Sequence, residues 1–279
     1  KKPLNLIDRK SVWERIQKAG LTEAEVGYLW MDDSLGLILD KLDKLGIADN
    51  TIVVFVSDHG SERKGSLIKT RGTEIPCLIR WPKVIKPGSV SRGLLQNTDF
   101  VPTWFELAGA KIPKGYHIDG KSLVPMFKDP SVSVREFIYA EQGAARAIKT
   151  DTLEYLSIRY TDEQIAMAQS IRSDRTCKTL LGLSSGISRA RYFHPDIFSA
   201  DQLYDLSKDP NSQKNVADDS SYAGQLKKMK AILTRTVKEL GPRPYGDFVP
   251  GKGTSDAEAS QKVLDQLAAY HANENKKKK

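Results

Sequence analysis

The residues of this 279-residue chain best suited to chemistry are Ser57-Asp58-His59-Gly60, at the end of the run Thr51-Ile52-Val53-Val54-Phe55-Val56. A carboxylate beside an imidazole, followed by a glycine that lets the backbone turn sharply, is a ligand pair for a divalent metal. A plainer reading stays open at this level, in which Asp58 caps the next turn and His59 is a solvated loop residue. The β-branched run before them predicts a strand buried on both faces of a parallel sheet. Sheets of that kind bind ligands beyond the carboxyl ends of their strands.

The elements that must position this turn can be read on either side of it. Upstream, Thr22-Glu23-Ala24-Glu25 has the spacing of a capping box. Tyr28, Met31, Leu35, Ile38, Leu42 and Leu45 then fall on one helical face, and Gly46 stops the helix. Downstream, Ile75-Pro76-Cys77-Leu78-Ile79-Arg80-Trp81-Pro82 reads as a second buried strand closed by proline. Thr98 is the expected N-cap of a helix that tolerates Pro102 in its first turn and ends at Gly109.

In order along the chain, the motifs are Met31-Asp32-Asp33-Ser34-Leu35-Gly36, Leu45-Gly46-Ile47-Ala48-Asp49-Asn50-Thr51-Ile52-Val53 and Ser57-Asp58-His59-Gly60. Lys64-Gly65-Ser66-Leu67, Ile75-Pro76-Cys77-Leu78-Ile79-Arg80-Trp81-Pro82, Lys86-Pro87-Gly88 and Thr98-Asp99 with Pro102-Thr103 follow. Asp119-Gly120-Lys121-Ser122-Leu123, then Leu203-Tyr204-Asp205-Leu206 with Asp209-Pro210, complete the series. Asp-His-Gly and Asp-Pro are common by chance, but the ordered series resembles the sulfatase family of the alkaline-phosphatase superfamily from about residue 25 to about residue 240. The resemblance implies an α/β fold: part of a mixed, mostly parallel sheet flanked by helices, plus a small C-terminal antiparallel sheet packed by a helix.

The resemblance also implies a site. Asp58 and His59 would be metal ligands for Ca²⁺, with Mg²⁺ as the variant. The softer imidazole of His59 could instead hydrogen-bond the sulfate or the nucleophile, a catalytic role. Lys64 would contact the sulfate as a catalytic and substrate-binding cation, with Lys69 as runner-up because the spacing from Lys64 to Pro76 is one residue long. Glu74 would face the substrate. The family's nucleophile is a formylglycine made from Cys or Ser in a C/S-x-P-S-R motif. Neither Cys77, before Leu78-Ile79-Arg80, nor Cys177, before Lys178-Thr179-Leu180, sits in one, and neither does any serine. The chain, which starts Lys1-Lys2-Pro3, is therefore expected to be the C-terminal portion of a sulfatase, inactive without the N-terminal half of the catalytic domain. A degenerate, non-catalytic homologue is the rival. The substrate implied is a sulfated small molecule or polysaccharide, and the resemblance implies a secreted, periplasmic or lysosomal setting.

Composition is that of a globular protein, 39% hydrophobic and 28% charged. No apolar stretch approaches the roughly 20 residues of a membrane span. Two cysteines make no disulfide framework, and Cys77 reads as a small buried hydrophobe. The net charge of +8 suits a polyanion, partly through the terminal run Lys276 to Lys279. No zinc-finger, RRM or basic recognition-helix pattern points to nucleic acid. Two alternatives stay open: a phosphodiesterase or phosphonate hydrolase of the same superfamily, and a non-catalytic module binding acidic glycans.

Three regions are expected. Residues 1–130 carry the second half of the catalytic α/β domain, after an extended or short helical lead-in to about residue 20. Residues 131–250 form an antiparallel subdomain with strands near 137–141, 145–149, 153–160 and 202–206, an insertion at 161–200, and a helix from Ser221 to Leu240. Residues 251–279 are a partly disordered tail. Arg146 and Arg159 could line a polyanion groove or be plain solvated charge, and His117, His194 and His271 read as structural.

Overall fold

Asp8 accepts hydrogen bonds from the backbone N–H groups of Lys10 and Ser11 and so opens helix α1 (Arg9–Lys18), the helical form of the expected lead-in. The computed structural model describes residues 8–60, 70–142, 145–159 and 199–240, together with residues 166 and 196. It comprises two units, Lys1–Phe55 with Leu78–Ser89, and Val56–Cys77 with Val90–Lys279. No described helix is long and apolar enough to cross a membrane.

In the first unit, α1 buries Val12 and Ile16, four residues apart. The Thr22/Glu25 capping box forms as expected and leads through a 3₁₀ turn into α2 (Val26–Lys44). Past its end, Gly46 at φ 67° donates to the Asp43 carbonyl and Ile47 to the Leu42 carbonyl. This is a Schellman ending, which a Cβ at Gly46 would strain. Arg15 forks onto the Asp33 carboxylate (Nη1 at 2.9 Å), and Arg9 lies 5.1 Å from the Trp30 ring, so α1 is tied to α2. The apolar stripe of α2 is partly covered: Leu35 and Leu42 are half-buried, and Tyr28, Met31, Ile38 and Leu45 are exposed.

Strands β1 (Val53–Val56) and β2 (Cys77–Arg80) form a two-stranded sheet. Here the expectation of a strand buried on both faces needs correction. Residues 53–55 are half-buried, and Val56 and Leu78 are exposed. The N–H after the end of β1, on Ser57, bonds the carbonyl just before β2, on Pro76. A continuous apolar run records what a strand can bury; which faces are covered depends on its neighbours.

In the second unit, a short helix α3 (Thr70–Thr73) precedes β2. Helix α4 (Phe100–Leu107) is not capped by Thr98. A 3₁₀ turn over Asn97–Asp99 leads into it, and a capping box joins Gln96 and Asp99. The fully buried Asp99 carboxylate accepts from the N–H groups of Gln96 and Lys121 (both 2.7 Å) and from both Nε (2.8 Å) and Nη2 of Arg135. Thr propensity at a cap is worth about 1 kcal/mol, which a buried four-donor carboxylate outweighs. Gly120 passes so close that a Cβ there would lie 2.1 Å from the Thr98 carbonyl oxygen. Helix α5 (Val124–Lys128) follows and buries Val124, Met126 and Phe127.

The meander is as expected. Strands β3 (Ile138–Gln142), β4 (Ala145–Lys149), β5 (Leu153–Ile158) and β6 (Asp201–Asp205) pair antiparallel in that order. Tyr139, Ile148, Tyr155 and Leu203 are successive cross-strand partners. That row packs against Met229 and Leu233 of α6 (Ala223–Leu240), the helix expected from Ser221. The other face buries Ala147, Leu156 and Tyr204.

One step along the sheet, the row Glu141, Arg146, Ser157, Asp201 is polar. Arg146 and Arg159 are 4% and 2% exposed, so neither is the solvated groove charge the sequence allowed. Arg146 pairs with Glu141 at 3.2 Å; Arg159, Lys230 and Tyr155 all donate to Asp201. Burial alone would push the Asp201 carboxyl up, but hydrogen bonds from Lys230, Tyr155 and Arg159 outweigh it and hold it below the ordinary carboxylate range. A depressed folded-state value stabilises the fold above the unfolded value, near 3.9, and that stability is lost as pH falls through the folded one. Urea midpoints at pH 6 and pH 3 should therefore fall further for the wild type than for Asp201→Asn. Equal losses would contradict the network's role.

Candidate functional site

The turn after β1 is held at both ends. Ser57 N–H reaches the Pro76 carbonyl (3.4 Å), and Gly60 N–H reaches the carbonyl of Gly72 in α3 (2.9 Å). Ser57 Oγ donates to the His59 carbonyl at 2.9 Å, and Gly60 itself is buried. Asp58 and His59 lie between these anchors, and the Asp58 side chain is 86% exposed.

His59 Nδ1 lies 2.8 Å from the Gly60 carbonyl oxygen. A carbonyl only accepts, so Nδ1 carries the proton, and in the neutral ring Nε2 presents its lone pair. That nitrogen is 3.5 Å from Asp58 Oδ2. Two acceptors face each other and call for a cation between them, either a proton on Nε2 or a metal ion. Two donors at right angles on a cation 2.3–2.6 Å away would be about 3.3–3.7 Å apart, so the pair fits neighbouring positions on one divalent ion. An imidazole whose other nitrogen donates to a backbone carbonyl is the usual arrangement for a metal-bound histidine. The donor set is partial, since no group of three or more His, Cys, Asp and Glu residues gathers as a metal site among the described residues.

The other expected site residues fare differently. Lys64 and Lys69 lie outside the described residues. Glu74 lies between Gly72 and Pro76, the two residues bonded to the Asp58 turn. Its carboxylate accepts from Lys149 Nζ of β4 at 3.0 Å. Lys149 was missed, because nothing local in a strand sequence marks a partner 75 positions away. Cys77 is half-buried, and burial pushes its thiol up, which disfavours the thiolate and fits a packing role.

The sulfatase family model matches residues 27–110, the segment that contains α2, β1, the Asp58 turn and β2. The chain is a sulfatase-family sequence. An ulvan-active sulfatase of Formosa agariphila is 31% identical over 206 residues, covering 72% of this chain and 38% of that protein. An N-acetylglucosamine-6-O-sulfatase of Bacteroides thetaiotaomicron is 28% identical over 218 residues, covering 76% of this chain and 34% of that one. A structure solved with its substrate D-glucosamine-2-N,6-O-disulfate superposes with TM-score 0.56 at 22% identity, over 82% of this chain and 45% of that chain. At that identity the likeness speaks for the sulfatase fold. The chain spans little more than a third of the length of these two curated relatives.

Proposed function

We propose that this chain supplies the Asp58 side of a sulfuric ester hydrolase acting on a sulfated carbohydrate. The observation that carries the proposal is the pair of facing acceptors, Asp58 Oδ2 and His59 Nε2, in a turn anchored to the segment before β2. The sulfated-glycan enzymes among the relatives supply the substrate class. Asp58 holds Ca²⁺ in this reading, with Mg²⁺ as the variant, and His59 completes that side through Nε2. A hard cation bound there would polarise a sulfate oxygen. Lys64 offers a compact positive charge to the sulfate, with Lys69 as the alternative. Glu74 lines the substrate side.

The nucleophile, a formylglycine, belongs to the N-terminal half of the sulfatase domain, so this chain alone is inactive. Two observations favour that arrangement: the relatives are much longer, and Tyr28, Met31, Ile38 and Leu45 of α2 are exposed. Several exposed large apolar residues on one helix face are a surface suited to a partner. The setting proposed is outside the cytoplasm, as for sulfatases that meet sulfated polysaccharides.

The experiment is a paired assay of the complete protein on a sulfated monosaccharide and on an aryl phosphodiester. Sulfate release should exceed phosphodiester cleavage and fall on chelation. Preferential phosphodiester cleavage would move the assignment to the phosphodiesterase branch of the superfamily.

A further inference from the structure

The hydrogen bonds that hold the Asp58 turn also fix what stands opposite it. Gly60 is bonded to Gly72 and Ser57 to Pro76, so residue 74 is the middle residue of the segment facing Asp58 and His59. Its carboxylate is 64% exposed, yet it is anchored by Lys149, whose side chain is only 16% exposed. The anchor arrives from β4, in the antiparallel sheet, and restrains the direction of the exposed carboxylate. Glu74 and Asp58 thus lie on two segments that the same backbone hydrogen bonds hold together. Where Asp58 is committed to a cation, Glu74 keeps acceptor capacity for substrate, because one ammonium leaves other lone pairs of the carboxylate unused.

We propose that Glu74, armed by Lys149, selects the group next to the scissile sulfate ester. It accepts hydrogen bonds from a hydroxyl or amide N–H there and repels a second sulfate or a carboxylate. The inference rests on the sulfatase reading and adds the substrate class: singly sulfated sugars over sugars sulfated at neighbouring positions. Lys149 is a positioning residue that also softens the repulsion, so the two partners of one ion pair have opposite effects on selectivity.

The test is calorimetric titration of the complete protein with N-acetylglucosamine 6-O-sulfate and with N-acetylglucosamine 4,6-di-O-sulfate. The wild type should bind the monosulfate about fivefold or more tightly than the disulfate, the scale of one unit-charge repulsion in a partly wet site. Glu74→Gln should bring the ratio below about twofold, and Lys149→Met should hold or widen it. A merely structural pair would move both variants in the same direction. The proposal is overturned by an unchanged ratio in Glu74→Gln, by parallel shifts in the two variants, by tighter wild-type binding of the disulfate, or by no binding of either sugar. Sulfate release is scored separately, so its absence would count against the sulfatase assignment while the binding ratio still decides the role of Glu74.

Discussion

Replacing Asp58 with Ala in the complete protein is expected to lower sulfate release at least about a hundredfold while leaving stability nearly unchanged. The loss follows from weakening the hold on the cation proposed at Asp58, and one preorganised positive group at a reacting anion is worth roughly 10²–10³ in rate. The unchanged stability follows from exposure, since the side chain is 86% exposed. Substitutions at such positions shift stability by less than about 0.5 kcal/mol. His59→Ala should cost less, about tenfold or more, because a neighbouring donor can be replaced by water. Rate assays and urea unfolding on the same samples check both halves. A large stability loss in Asp58→Ala would return the residue to the capping role that the sequence left open.

Asp99→Ala is the substitution expected to damage the fold most, by about 3–5 kcal/mol. Three segments meet at this carboxylate: the Gln96 turn, the Gly120–Lys121 loop and Arg135. Removing it leaves the buried Arg135 guanidinium without its partner and two backbone N–H groups without an acceptor. Thr103 extends the same knot, donating to the Asp99 carbonyl and accepting from Leu123 N–H. Against a typical total of about 5–15 kcal/mol, such a loss leaves a marginal or unfolded chain. The double variant Asp99→Leu with Arg135→Met should recover much of it, since the cost lies in the orphaned charge. A urea midpoint for Asp99→Ala within about 1 kcal/mol of wild type would show that water takes over the carboxylate's role.

What could be read from the sequence was local. The Thr22/Glu25 box and the Gly46 stop are set by residues within a turn of one another, so they survive whatever packs around them. The meander was legible because β3, β4 and β5 are successive short runs separated by turns, and sequential antiparallel strands find one another. The misreadings were tertiary. Thr98 has better intrinsic capping chemistry than Gln96, but Asp99 is held by Arg135, 36 positions away. Arg146 and Arg159 were assigned to the surface by residue type, whereas the sheet buries both beside Glu141 and Asp201. For β1, hydrophobicity foretold a strand but not how many neighbours cover it. The candidate site divides the same way. Asp58 and His59 are candidates because they are adjacent residues at a strand end, while the Glu74–Lys149 pair joins residues 75 positions apart.

The most direct test of the central assignment is sulfate release from a sulfated monosaccharide by this chain alone, by the N-terminal half of a sulfatase domain carrying the formylglycine motif alone, and by the two produced together. The account predicts turnover only in the combined sample, abolished by chelation and by Asp58→Ala. Turnover by this chain alone, or a combined sample that forms a complex and binds the sugar but releases no sulfate, would contradict it.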